Sequence, residues 1–203
     1  TLSDNSGAIL SSQEEKRLQV RVLASQLSSR RFRRMWIEGM AINASPAELE
    51  KHARHMASFS NMVKIKMVAG DIFTVSRTLD NVSIAVNGTT LGEIDDPEFF
   101  DLLLRTWIGP VPLSTEFRQD LLTQGSIKPG PLTRFESTRP SDERIAVIEQ
   151  AVANKLANTS SSSNSQSPSI QAPTTSVAIS EPVAEKPAKV AISAPVIATP
   201  KPT

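Results

Sequence analysis

Between Val82 and Leu122 the chain reads as a β-hairpin followed by two helices, and this order constrains the fold more than anything else in it. Two strand-like runs, Asn81 to Val86 and Thr89 to Ile94, flank Asn87-Gly88, the pair that best tolerates the positive φ values of a type I′ turn. Asp95 or Asp96 then caps a helix with Pro97 just inside it. Phe100, Leu103, Leu104 and Trp107 form one face of that helix, and Phe99 and Leu102 widen it. A helix apolar over most of its girth belongs inside a protein, here between a sheet and neighbouring helices. Gly109-Pro110 ends it, and Ser114 caps a short helix carrying Phe117, Leu121 and Leu122.

Upstream, Thr1 to Glu15 is polar apart from Ile9 and Leu10 and reads as a loosely held arm. From Lys16 to Ala24, Leu18, Val20 and Val22 alternate with Arg17, Gln19 and Arg21, the period of a strand with one buried face. Ser28 or Ser29 caps the next helix, whose Phe32, Trp36 and Met40 recur every four residues, with Asn43 as a left-handed stop. Ser45-Pro46-Ala47-Glu48 is a capping box with proline at the first helical position; the stripe behind it is Leu49, Ala53 and Met56. Val63 to Met67 and Ile72 to Ser76 are strand-like, divided by the Ala69-Gly70-Asp71 turn.

After Gly125 the character changes. Residues 126–140 contain Pro129, Gly130, Pro131 and Pro140 and read as a linker; 141–157 form an amphipathic helix with Ile145, Ile148, Val152 and Leu156 on one stripe. The Ser/Ala/Pro/Thr-rich 158–203 has no helical or strand period and is expected to be disordered, because it buries too little apolar surface to offset its ordering entropy. The expected organisation is therefore an arm (1–15), a domain (16–125), the linker, the helix and the tail. The fold class is α+β, an antiparallel sheet with helices packed on one face.

Net charge is +1, from 22 basic and 21 acidic residues, so there is no global field to attract nucleic acid, and none is expected as a partner. The densest basic run, Ser29 to Arg34, wraps around its helix and reads as a solvated surface. Cysteine is absent, which excludes disulfides and thiolate-ligated metals. No apolar run approaches the roughly 20 residues that span a bilayer. The chain starts at Thr1 with no basic-plus-apolar leader, so any targeting signal is expected upstream or removed. Glu48, His52 and His55 recur at metal-ligand spacing on one helix face. A mononuclear site needs a third or fourth ligand with outer support, and no further histidine exists, so they read as surface histidines. Neither a metal nor a cofactor is expected. Asp95, Asp96 and Glu98 are explained as cap and dipole residues.

The hairpin together with Trp107-Ile108-Gly109 resembles the chalcone isomerase-like domains, most closely their bacterial branch. Leu27 to Phe32, Trp36 to Gly39 and Ala69 to Asp71 sit where that family carries a helix after its central strand, an aromatic-to-glycine helix pattern and a Gly-Asp turn. The resemblance covers about Lys16 to Gln124. It implies a fold in which plant enzymes close a flavanone ring, polarising a ketone through Thr and Tyr hydroxyls with an Arg near the phenolate. Those early-strand residues would precede Lys16, so the resemblance implies a domain without its N-terminal strands. In an ungapped register the catalytic Tyr falls on Leu27, an Asn on Arg34 and a Ser or Thr on Phe100. No tyrosine occurs anywhere in the chain, and a missing hydrogen-bond donor of this kind costs about 10²–10³ in rate. Isomerase activity is therefore not expected, and no catalytic residue is assigned.

Other relatives bind fatty acids between sheet and helices. That use needs an apolar cleft and one cation. The candidates are Trp36, Met40, Phe100, Leu104 and Trp107 as lining and Arg34 as cation; the same five apolar residues also suit a plain core. The resemblance further implies a periplasmic or secreted protein. Two alternatives remain: an intramolecular lyase or isomerase of unknown substrate, for which Ser28, Arg34 and Thr106 are the polar groups in reach, and an envelope interaction protein docking a partner at an open sheet edge.

Overall fold

The computed structural model describes residues 3–162. Four strands form one antiparallel sheet in the order β1-β4-β5-β6: β1 (Lys16–Arg21), β4 (Ile72–Arg77), β5 (Val82–Val86) and β6 (Thr89–Ile94). A separate two-stranded ladder joins β2 (Gln26–Leu27) to β3 (Met67–Val68). The strand expected from Val63 is reduced to this short β3, because Val63 caps the preceding helix, its amide bonding to Phe59 O.

Side-chain alternation fixes the register. Phe73 pairs with Val86, Val75 with Ile84 and Arg77 with Val82, and all six point into the core. A slip of one residue would turn every one of them to the other face. Asn87 (φ 53°) and Gly88 (φ 88°) make the expected left-handed turn. Asn87 does more than tolerate that conformation. Its Oδ1 accepts from Ile72 N at 2.8 Å and its Nδ2 donates to Asp71 Oδ1 at 2.8 Å, so the turn is tied to the start of β4.

Helices α2 (Ser29–Ile42), α3 (Pro46–Met62) and α4 (Phe99–Ile108) cover the apolar face of the sheet. Phe73 of β4 meets Phe32 and Trp36 of α2 and Phe59 of α3 through ring contacts of 5.0, 5.5 and 6.3 Å. Such tilted and edge-on pairs add about 0.5–1.5 kcal/mol each beyond the area they bury. α2 is capped by Ser28, whose hydroxyl accepts from Arg31 N, and α3 carries the complete capping box of Ser45 and Glu48. α4 is buried on most sides, as its sequence requires.

Four local expectations give way to tertiary contacts. Asn43 ends α2 with φ −108° rather than in the left-handed region. Its side chain closes the helix instead, donating to Gly39 O and Val111 O and accepting from Val111 N at 2.9 Å. α4 begins two residues later than the Asp-Pro signal suggests, with Glu98 at its cap and Asp96 Oδ1 accepting from Glu98 N at 3.0 Å. The polar arm contains α1 (Ser6–Ser11), held because Lys16 Nζ donates to Ile9 O and Ser12 O, both at 2.9 Å. The segment expected as a linker contains α6 (Pro129–Ser137), whose Phe135 ring lies 4.1 Å beneath the Arg21 guanidinium; proline at the first helical positions starts this helix rather than breaking it.

α5 (Thr115–Leu121) is capped by Ser114, and α7 (Asp142–Ser162) runs past the expected end at 157. α7 is fastened to the domain: Arg144 Nε and Nη2 donate to the two oxygens of the buried Asp71 at 3.0 and 2.8 Å, and Ile148 enters the core. The tail from 163 onward, expected to be disordered, lies outside the described residues. No helix among the described residues is long and apolar enough to cross a membrane.

Candidate functional site

Trp36, Met40, Phe100 and Leu104 are all buried in one core cluster, and Trp107 packs against it half-buried. α2 and α4 bring Trp36 and Trp107 together, with ring centroids 5.4 Å apart. Phe100 lies toward the other end of α4, where the Lys16 ammonium stands 5.7 Å from its ring centre. Arg34 is not part of this group. Its side chain is 74% exposed and bonds to Glu38 one turn along the same helix at 2.6 Å, a contact that raises the guanidinium pKa.

The seam between α2 and α4 has an unusual polar content. Trp36 Nε1, Trp107 Nε1 and Thr106 Oγ1 are buried and lack hydrogen-bond partners. Thr106 is pressed against Gly39: a Cβ at residue 39 would lie 2.8 Å from its Oγ1 and 2.9 Å from its Cβ. Each buried polar group left unpaired costs about 1–3 kcal/mol, and all three belong to the two helices that meet here. Next to it, Phe117 of α5 covers Trp107 at 5.5 Å, and Val111, Leu113 and Phe117 each expose nearly half their surface. They form an apolar lip at the Trp107 end of the seam.

A second, polar site lies at the start of α4. Asp101 accepts from Lys16 Nζ at 2.5 Å and from Arg77 Nη1 at 3.2 Å, and Arg77 also reaches Ser12 O and Gln13 Oε1. Burial pushes the Asp101 carboxyl above the usual carboxylate range, against the pull of these two cations. Sequence reasoning passed over these residues, though a signal was present. Arg77 occupies an inward position in the alternation of Phe73 and Val75, and Asp101 interrupts an otherwise apolar helix face. Beside the pair lies a cavity of about 190 Å³ lined by Gln13, Glu48, Lys51, His52, Asp101 and Arg105, among others.

The histidines differ from their sequence-based reading. His52 is buried, 5% exposed, and His55 is half-buried, so neither is a free surface residue. They sit beneath Phe99, with ring centroids 6.0 and 5.8 Å from it. Glu48 is not their companion. It accepts from Ser45 N and from Arg105 Nη1 at 2.7 Å, which with the Ser45 hydroxyl hold its pKa down at about 2. Asp96, from the β6–α4 loop, takes that place. Its Oδ2 stands 3.1 Å from His52 Nδ1 and 3.2 Å from His55 Nδ1.

The chalcone isomerase-like family model matches residues 1–123, and the chain belongs to that family. No curated protein matches it. Among solved structures, a fatty-acid binding protein of Arabidopsis thaliana is similar at 17% identity and a TM-score of 0.48, over 58% of this chain and 59% of that one. The chain thus spans less than two thirds of that protein's length.

Proposed function

We propose that this chalcone isomerase-like domain is a non-catalytic binding module for a small apolar carboxylate of the fatty-acid type, held along the α2–α4 seam. The observation that carries this reading is the set of unpartnered buried donors, Trp36 Nε1, Thr106 Oγ1 and Trp107 Nε1, set in aromatic and aliphatic surroundings. A carboxylate oxygen satisfies such donors, and the apolar residues of the core, Met40 and Leu104 among them, suit a hydrocarbon chain. The lip of Val111, Leu113 and Phe117 supplies the entry side. Since the seam is closely packed, the ligand enters by displacing α5 from Trp107 rather than by filling a preformed void. Arg34 supplies no charge here; its partner is Glu38.

Flavanone-type ring closure is absent from this proposal because it needs a phenol and the chain contains no tyrosine. The positions that the family register points to, Leu27, Arg34 and Phe100, offer no hydroxyl either. A periplasmic or secreted location is part of the same reading, and fractionation of the native host checks it.

The test is a titration of the full chain with a long-chain fatty acid, followed by native mass spectrometry, beside the Thr106→Val variant. Hydrogen bonds to a charged partner contribute about 1.5–3 kcal/mol, or roughly tenfold or more in affinity. One fatty acid per chain, bound at least tenfold more weakly by Thr106→Val, is expected, with chalcone turnover no faster than in buffer. Absence of binding, or turnover of chalcone, contradicts the proposal.

A further inference from the structure

His52 and His55 lie one turn apart on α3, and the loop leading into α4 carries Asp96 to them. Each of the three residues offers one ligand atom, and these atoms all lie within 4.8 Å of one another. In a tetrahedral site with metal–ligand bonds near 2.0–2.1 Å, adjacent ligand atoms stand about 3.3 Å apart. The two nitrogen–oxygen separations of 3.1 and 3.2 Å are close to that edge.

Two further observations point to a ligand rather than to a simple ion pair. Neither Nδ1 makes a hydrogen bond of acceptable geometry, although both atoms are buried and His52 as a residue is 5% exposed. A buried imidazole nitrogen left without a hydrogen bond is unfavourable by itself, and here two such nitrogens face one carboxylate oxygen. Part of a supporting shell is also in place. Asp96 Oδ1 is fixed by Glu98 N at 3.0 Å, which leaves Oδ2 turned to the imidazoles. Phe99 packs against both rings. Orienting hydrogen bonds and an apolar wall of this kind hold metal ligands in position and raise affinity.

We propose that His52, His55 and Asp96 form a binding site for a divalent first-row transition-metal ion of the zinc class. Two imidazole nitrogens and one carboxylate oxygen suit such an ion better than magnesium or calcium, which prefer oxygen donors. Three protein ligands leave a fourth position for water or a small anion. His55 is the more exposed of the two rings, its side chain 33% exposed, so the open position faces its side of the site.

The experiment uses the full chain, stripped with chelator and titrated with zinc by calorimetry, with cobalt as a spectroscopic stand-in. His55→Asn and Asp96→Asn are the variants. Asparagine at 96 keeps the acceptor for the Glu98 amide, and thermal melting verifies that both variants fold. Loss of a mere supporting partner costs about 10–100-fold in metal affinity, so loss of a ligand is expected to weaken zinc binding at least 100-fold in either variant. The wild type takes up one zinc per chain, gains melting temperature with it, and shows the intense visible cobalt band of a four-coordinate site. Zinc bound equally by wild type and variants, zinc not bound at all, or cobalt giving only its weak six-coordinate spectrum would each overturn the proposal.

Discussion

Gly39 sits where α2 crosses α4, and a methyl group there would press on Thr106 Oγ1 and Cβ from 2.8 and 2.9 Å. In an exposed helix the change from glycine to alanine stabilises by about 1 kcal/mol. Here the clash reverses the sign, because overpacking a filled core costs about 1–3 kcal/mol. Gly39→Ala is therefore expected to lower stability in denaturant melts, and Thr106→Ala added to it is expected to recover part of the loss. A stabilised single variant would show that the two helices are not packed this closely. The same seam illustrates what was legible at the residue level. The inward placing of Trp36 and Trp107 was readable from helical spacing alone, with Trp36 buried and Trp107 half-buried. The orphaned state of their indoles was not, since it depends on what the neighbouring helix fails to offer. Arg34 lies close to Trp36 in sequence, yet two residues of helix rotate it to the solvent side, where it pairs with Glu38.

At the scale of elements, helix ends were the most readable features and their tertiary uses the least. The capping box at Ser45 and Glu48 formed as its residues dictate, yet Glu48 also receives Arg105 from α4. These contacts lower the Glu48 pKa from 4.5 to about 2. A carboxylate depressed in the folded state stabilises above its unfolded pKa, and that contribution fades as pH falls through the folded value. The stability difference between wild type and Glu48→Gln is thus expected to be constant above about pH 5 and to vanish progressively between about pH 4.5 and 2. Its size is about 1 kcal/mol, since the partly exposed carboxylate is screened by solvent. Equilibrium unfolding at a series of pH values checks it; a difference that grows toward low pH contradicts the assignment. α6 and α7 teach the complementary lesson. Proline-rich sequence reads locally as linker, whereas the Arg144–Asp71 pair and the Arg21–Phe135 stack act across more than 70 residues of sequence. No local pattern announces them.

For the whole molecule, the hairpin about Asn87-Gly88 and the apolar α4 were sufficient to suggest the family, and the fold follows from packing that helix against Phe73, Val75, Val82, Ile84 and Val86 of the sheet. The strand order was not readable, because β1 pairs with β4 only after two helices have intervened. The central claim is that this architecture serves binding rather than ring closure, with the indoles of Trp36 and Trp107 as part of the receiving surface. These are the only two tryptophans in the chain, so the indole N–H region of a nitrogen-edited NMR spectrum holds two resonances. Addition of a long-chain fatty acid is predicted to move both in the direction of hydrogen-bond formation, with saturation at one ligand per chain. Two indole resonances that stay in place while fatty acid is present in excess would contradict the account.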